Sequence, residues 1–392
     1  MSILTFSVED TFNTPKYTQD YFLDLHDDQL ISNMNYEKFS EFNSPSYKDR
    51  YSTSKKADGR IESDFTFSNL AWPVILDGVM GKTIDLENKA LIISPERWKI
   101  LTGYLTSDIT SSQTSFSISE YTQGEFDSVI GLIIQDEYIS ITTISNGNVT
   151  LSTRGQIGST ASSHAQSTLV YGVQARTGYT TKIITRYRSG FSYLLPKSFT
   201  FIVDRINSFF YFSGSKFSDF IFKVDPLEGV NSSFNVNSAN FGTLDISSPN
   251  TQVDNGGLLI SENAGLYCMG ENLDISNFYI EILNTLSYAN SRFLNNVSQN
   301  IFLTYYSTFG HFSLAEQTLD FYNSYVLDEI KNISLCVTDD SIFENAIVFQ
   351  FNNVKWGTIL HERRTNYFIY DSVPFYAYGP DKFNIILQTK DS

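Results

Sequence analysis

Three observations predict a mainly β fold. Phe199, Phe201 and Val203 alternate with Thr200, Ile202 and Asp204, and Phe220, Phe222 and Val224 alternate with Ile221, Lys223 and Asp225. This is the two-residue period of a strand. The segment 139–151 carries Ile139, Ile141 and Ile144, then Asn146-Gly147, then Val149 and Leu151. Asn-Gly is the favoured two-residue hairpin turn, because both central residues must tolerate positive φ. Aromatic residues make up 15% of the chain and charged residues only 18%. Such a composition buries aromatic and β-branched faces in sheets and excludes a disordered chain.

The 392 residues suffice for two or three domains of ~100–200 residues. Residues 1–58 are polar and aromatic with little periodicity, and are expected to form an arm or loop region. Asn43-Ser44-Pro45 and the Ser/Lys-rich 52–57 are read as loops. Over 60–67, Ile61, Ser63, Phe65 and Phe67 alternate with Arg60, Glu62, Asp64 and Thr66, which predicts a half-buried strand. A short helix is expected over 69–81, with Pro73 in its first turn and Gly78 or Gly81 at its end. Residues 105–123 are Ser/Thr-rich, with alternation at Phe116, Ile118 and Tyr121. Beyond the hairpin, strands are expected over 199–204, 220–225, 234–236, 277–283, 301–306, 333–337, 347–355, 366–370 and 383–389. Gly242, Pro249 and Asn255-Gly256-Gly257 are read as turns. A second helix competes with the strands. Ser313-x-x-Glu316 reads as a capping box, with Leu319, Tyr322, Val326 and Ile330 on one face. A shorter helix starting after Asn323 and ending near Lys331 fits the same residues.

Against 27 Lys+Arg stand 43 Asp+Glu, a net charge of −16. This argues against a nucleic-acid surface, whose affinity comes from basic patches. Cys268 and Cys336 are in no C-x-x-C pair, which removes a metal or redox motif. Two buried free thiols are expected, with a disulfide between them as the alternative. No signal peptide and no membrane helix are expected, since no apolar run has the required length. The Asn-x-Ser/Thr sequences at Asn148, Asn231, Asn296 and Asn332 are read as chance in an Asn- and Ser-rich chain.

Little in the sequence proposes chemistry. His26, His164, His311 and His361 form no metal-ligand spacing with one another. His26-Asp27-Asp28 and His361-Glu362 are read as solvated loops rather than cation ligands. Asp339-Asp340 would point to opposite faces of a strand and so do not make a paired-carboxylate site. No nucleophile elbow or phosphate loop is present. No cofactor, metal or catalytic residue is expected, and an enzyme is not.

The most distinctive stretch is 154–164, Arg154-Gly155-Gln156-Ile157-Gly158-Ser159-Thr160-Ala161-Ser162-Ser163-His164. Arg154 is expected to bond loop carbonyls or a carboxylate, Asp136 or Glu137. His164 is expected to hydrogen-bond a turn and fix the chain's return. Gly155 and Gly158 would supply backbone conformations closed to other residues. This segment resembles one recurrent in bacteriophage tail and baseplate proteins: Arg-Gly, two residues, Gly-Thr-Thr, small residues, then His. Ser159 stands where that pattern has its first Thr, and Thr160 matches the second.

The order of elements on either side resembles the tail tube proteins of long-tailed phages. The segment 59–81 is similar to that family's opening strand and helix. Lys197-Ser198-Phe199-Thr200-Phe201, Tyr211-Phe212-Ser213-Gly214 and 220–236 are similar to its next strands, and 273–282 to its middle strand. Residues 310–321 would be a strand, 322–330 a short helix, and Ile333-Ser334-Leu335 a return to the sheet. Phe351-Asn352-Asn353-Val354-Lys355, Val373-Pro374-Phe375-Tyr376-Ala377-Tyr378 and Phe383-Asn384-Ile385-Ile386-Leu387-Gln388 are similar to its closing strands.

The resemblance implies a tail-tube-like β-sandwich or barrel with a short helix. Residues 59–104 would be its first part and 183–392 its second, with 105–182 a small inserted β module between them. It further implies a structural virion protein assembled in the host cytoplasm. Copies would form stacked hexameric rings, and DNA would pass through a negatively lined lumen without specific binding. Other tail proteins would meet the tube ends. A baseplate, distal-tail or receptor-binding tip protein is the alternative, and a carbohydrate-binding or hydrolytic β-protein a third.

Overall fold

The computed structural model describes residues 2–40, 47–94, 99–119, 129–150, 152–189, 192–205, 208–226, 229–245, 259, 264–268, 271–273, 275–289, 300–316, 319–339, 345–363, 368–377 and 383–390. Strands dominate, and two α-helices occur among the described residues, Ala71–Met80 and Asp320–Val326. The chain forms two compact units. The first comprises Met1–Gly81, Arg186–Ser261 and Asn277–His311, and the second Lys82–Thr185, Glu262–Ser276 and Phe312–Ser392.

In the first unit, an antiparallel layer is built on an aromatic row. Tyr21, Phe6, Phe201, Phe212 and Phe241 are register partners across five neighbouring strands. The strand Ser208–Asp225 leaves this layer at Gly214 (φ 61°) and enters a second one. There Ile61, Phe234, Phe220 and Ile282 are paired in one row. Rings from both layers meet, with Phe201 and Phe234 6.3 Å apart and Phe199 and Phe217 5.0 Å apart. Helix Ala71–Met80 closes this core, its Trp72 lying 5.4 Å from Phe65 and 6.5 Å from Phe234. Gly81 ends the helix with φ 104°, a conformation that glycine adopts without steric cost. Gly78 lies inside the helix, where a Cβ would come within 2.5 Å of Phe217.

Residues 1–58 are not an arm. Ser2–Val8 lies between Tyr21–Leu25 and Phe199–Arg205, and Leu4, Phe6 and Leu23 are fully buried. The Ser/Lys-rich 52–57 belongs to strand Tyr47–Asp64, which pairs with Ile31–Ser40. Asn43-Ser44-Pro45 lies outside the described residues. Leu4, Phe6 and Val8 alternate with Thr5 and Ser7, a short period-two pattern that the polar and aromatic composition of 1–58 masks; Thr5 and Ser7 are buried as well.

In the second unit, Ile183, Ile386, Val348 and Cys336 form a row across four strands and continue to Gly265. Both cysteines are buried, and neither is in a disulfide. The 105–182 stretch is not a separate insertion. Ile133, Tyr138, Leu169, Tyr171 and Val173 share one core with Ile84, Leu86, Val348 and Ile386. Strand Leu169–Ser189 carries the chain from that stretch directly into the pairing with Phe383–Lys390. The expected second part, 183–392, likewise divides between the two units.

Phe116 and Ile118 are buried on a short strand as their alternation predicts, whereas Tyr121 lies outside the described residues. The remaining strands expected downstream are present wherever described. Gly242 is an exception to the expected turns, since it sits within strand Asn240–Leu244. The turns expected at Pro249 and Asn255-Gly256-Gly257 lie outside the described residues. The capping box is overturned. Ser313 and Glu316 lie in strand Ile301–Glu316, where Ser313 Oγ donates to the Asp371 carbonyl at 2.5 Å. The second helix runs Asp320–Val326 and buries Phe321 and Ser324; Val326 and Ile330 stay exposed. Trp356 Nε1 donates to Ser324 Oγ at 2.9 Å, and Phe321 packs 5.4 Å from the Trp356 ring. Long-range pairing decided the strand and ring packing decided the helix face; local periodicity decided neither. No helix among the described residues is long and apolar enough to cross a membrane.

The hairpin forms as predicted. Thr143–Ser145 pairs with Asn148–Thr150, and the turn residues Asn146 and Gly147 have φ 48° and 75°. Gly147→Ala is therefore expected to cost about 1 kcal/mol in urea denaturation. A neutral result would mean that the turn relaxes.

Candidate functional site: a buried carboxylate knot

The strand Val129–Ile134 turns through Gln135 and Asp136 into Glu137–Ser140. Glu137 is the first residue after that turn and points inward, with no solvent exposure. Burying a lone carboxylate is costly unless it is paired and hydrogen-bonded. Five donors meet this one. Arg154 Nε and the Gly155 amide reach Oε1 at 2.7 and 3.0 Å. Arg154 Nη2, the Ser162 amide and His164 Nε2 reach Oε2 at 2.7, 3.1 and 2.8 Å.

Arg154 is equally saturated. Beyond its two bonds to Glu137, Nη1 donates to the carbonyls of Thr110 and Gln113 at 2.7 and 3.1 Å. Nη2 also donates to the Ser162 carbonyl at 2.6 Å. All five guanidinium N–H groups are thus used, and the fork-to-fork geometry is the strong form of the pair. Asp136, the other carboxylate expected for Arg154, pairs with Lys82 at 2.7 Å instead. It lies on the turn, one residue short of the inward-facing position.

His164 closes the knot. Its Nδ1 is 3.0 Å from Gln135 Oε1, and its backbone forms a two-way bridge with Ile109, at 2.9 and 2.8 Å. Gly155 has φ 61° and Gly158 φ 71°, as expected for both. A Cβ on Gly155 would also lie 2.7 Å from the Ala161 nitrogen. Ser159 Oγ accepts the Tyr138 amide at 2.9 Å, so the hydroxyl at this position is used. Thr160 is exposed. Ile157 has φ 53°, a conformation costly for a β-branched side chain; it sits at the tip of the tight turn that the knot fixes.

The electrostatics follow. Burial is the largest single influence on the Glu137 carboxyl and pushes its pKa up. Hydrogen bonds from Arg154, His164 and Ser162, with the Arg154 charge, outweigh it and hold the value at about 2. A saturated, solvent-excluded carboxylate has no lone pair turned toward a substrate. What the arrangement does is tie the segments around 110–113, 137 and 154–164 together.

Sequence reasoning missed a second buried carboxylate. Glu9, in the first unit, accepts the amides of Asn13 and Gly214 and the hydroxyls of Ser198 and Thr200, at 2.7–2.8 Å. All its donors are neutral, and burial raises its pKa. Three of the four lie about two hundred positions away, so no local pattern announces the niche.

The other histidines do not converge. His26 pairs with Asp64 at 2.8 Å, His311 stacks on Tyr279, and His361 packs against Tyr322. Among the described residues no three His, Cys, Asp or Glu side chains are grouped to hold a metal ion. Asp339 is bonded by Asn345, and Asp340 lies outside the described residues.

Fold and site together define a mainly β chain of two units, with a saturated buried carboxylate cluster among the described residues of the second. No protein-family model matches the sequence, and no curated protein does.

Proposed function

We propose that the chain is a structural protein of a long-tailed phage virion, a subunit of the tail tube. The observation that carries this reading is the knot. The segment that resembles a phage-tail motif spends its Arg, its His and one Gly amide on a single buried carboxylate. That is the use expected of a structural part. In the assembly, edge strands of one copy are covered by the next. With a net charge of −16, acidic residues are expected to outnumber basic ones on the lumen face and to repel DNA phosphates, so that the genome slides without sticking.

One observation favours the second reading, a baseplate, distal-tail or receptor-binding tip component. The 105–182 stretch shares its core with the rest of the second unit, which leaves no detachable module to hang outside a tube.

Negative-stain microscopy of the purified protein, with copy numbers from quantitative mass spectrometry of virions, tests both. Hollow tubes and many copies per particle are expected for the tube subunit. Small discrete oligomers and a few copies would move the protein to the tip. Absence from virions would overturn both readings.

A further inference from the structure

The first unit carries a half-open polar cleft of about 590 Å³, lined by His26, Arg60, Glu62, Asp64, Lys223 and Tyr279 among others. It lies on the face of the second layer opposite the core row Ile61–Phe234–Phe220–Ile282. Two registered rows build it. Asp64, Asn231, Lys223 and Tyr279 are successive partners across four strands, and so are Glu62, Ser233, Ile221 and Glu281. Side chains in one row are ~4.8 Å apart, so the cleft floor is a regular grid of polar groups.

The grid is held in place before any ligand arrives. Arg60 Nη2 is 2.7 Å from Glu62 Oε1 and 2.9 Å from Ser233 Oγ. His26 Nε2 is 2.8 Å from Asp64 Oδ2. The Tyr279 ring stacks on His311 at 5.3 Å, and its hydroxyl donates to Glu281 at 2.6 Å. Such preorganisation lowers the entropy cost of binding. The volume falls within the ~300–1,000 Å³ of small-molecule sites.

Charge selects the ligand class. The lining holds two carboxylates, Glu62 and Asp64, and two cations, Arg60 and Lys223, with Glu62 paired to Arg60 and Asp64 to His26, a balanced set. An anion would meet both carboxylates, and a metal cation both basic side chains. A neutral hydroxyl donates and accepts at once, so vicinal hydroxyls match alternating guanidinium and carboxylate groups. The Tyr279 ring and Ile221 offer apolar surface to a sugar's C–H face.

We propose that this cleft binds a neutral saccharide through vicinal hydroxyls that donate to and accept from the Arg60–Glu62 pair, with the ring against Tyr279. The proposal stands apart from the virion assignment, which copy number and microscopy decide separately.

Isothermal titration of the full-length protein with glucose, galactose, mannose and N-acetylglucosamine tests it, with inorganic phosphate and calcium chloride as the charged arms. At least one neutral sugar is expected to bind saturably. Glu62→Gln and Tyr279→Ala should each weaken it about tenfold or more, equivalent to ~1.4 kcal/mol. Tyr279→Phe, which keeps the ring, should retain most of the affinity, and Lys331→Ala in the other unit should retain all of it. Glu62→Gln preserves side-chain shape and decides the matter if Tyr279→Ala misfolds. Binding of phosphate or calcium alone, no saturable sugar, or sugar binding indifferent to Glu62→Gln would each overturn the proposal.

Discussion

Arg154→Met is expected to destabilise the second unit by about 3–5 kcal/mol, the cost of leaving a buried charge without its partner. The substitution takes both guanidinium bonds from Glu137 and strands the carbonyls of Thr110, Gln113 and Ser162. The amides of Gly155 and Ser162 and the His164 ring still reach the carboxylate, which keeps the loss within that range. Arg154→Lys should recover less than half, because an ammonium is a point donor and cannot span two oxygens and three carbonyls in a plane. Combining Arg154→Met with Glu137→Gln should cost less than the two single changes added together, since the second removes the charge the first leaves unpaired. Urea denaturation followed by fluorescence gives all four values. A loss under ~1 kcal/mol for Arg154→Met would place the pair with ordinary surface salt bridges and sink the idea that it fastens the unit.

The knot was legible in the sequence because its parts are close in the chain. Arg154, both glycines and His164 fall within eleven residues, and Glu137 precedes them by seventeen. The choice between Asp136 and Glu137 was not legible, since a one-residue step in a hairpin decides which side chain faces inward. The same contrast runs through the fold. Strands with consecutive Phe, Ile or Val on one face, such as Phe199–Arg205, announce themselves. Ser2–Val8 has the same alternation at Leu4, Phe6 and Val8, but it is one short strand among loop-like residues, and its partner Phe199–Arg205 lies about two hundred residues on, so nothing local shows where it pairs. Ser313-x-x-Glu316 has the local form of a helix start, yet Phe312 packs into the aromatic cluster of Phe321, Trp356 and Phe375 and its strand prevails. Likewise, one tube-like domain with an insertion is a reading of element order. The division into two units arises from which rows share a core, and that is a matter of pairing between distant segments.

Acid should open the second unit before the first. Glu137 has a folded-state pKa of about 2 against an ordinary 4.5, so it binds its proton less readily folded than unfolded. Its stabilisation, about 3 kcal/mol by linkage, is complete above pH ~4.5 and lost as the pH falls toward 2; about 2 kcal/mol is gone by pH 3. Glu9 behaves oppositely. Burial raises its pKa above 4.5, against the hydrogen bonds from Gly214, Ser198, Thr200 and Asn13. Its niche therefore takes up a proton more readily folded than unfolded and contributes more to stability as the pH falls through its raised value. The difference arises from the donors: a guanidinium faces Glu137, whereas only amides and hydroxyls face Glu9. Trp72 lies in the first unit and Trp356 in the second, so single-tryptophan variants report each unit separately. Urea melts between pH 6 and pH 3 should show the Trp356 signal losing stability faster than the Trp72 signal. Glu137→Gln, which carries no titrating group at that position, should flatten the Trp356 profile by about 2 kcal/mol across the same range. Parallel profiles for the wild type and Glu137→Gln would show that the carboxylate is not held in its ionised form by Arg154, and with it the account of the knot would fall.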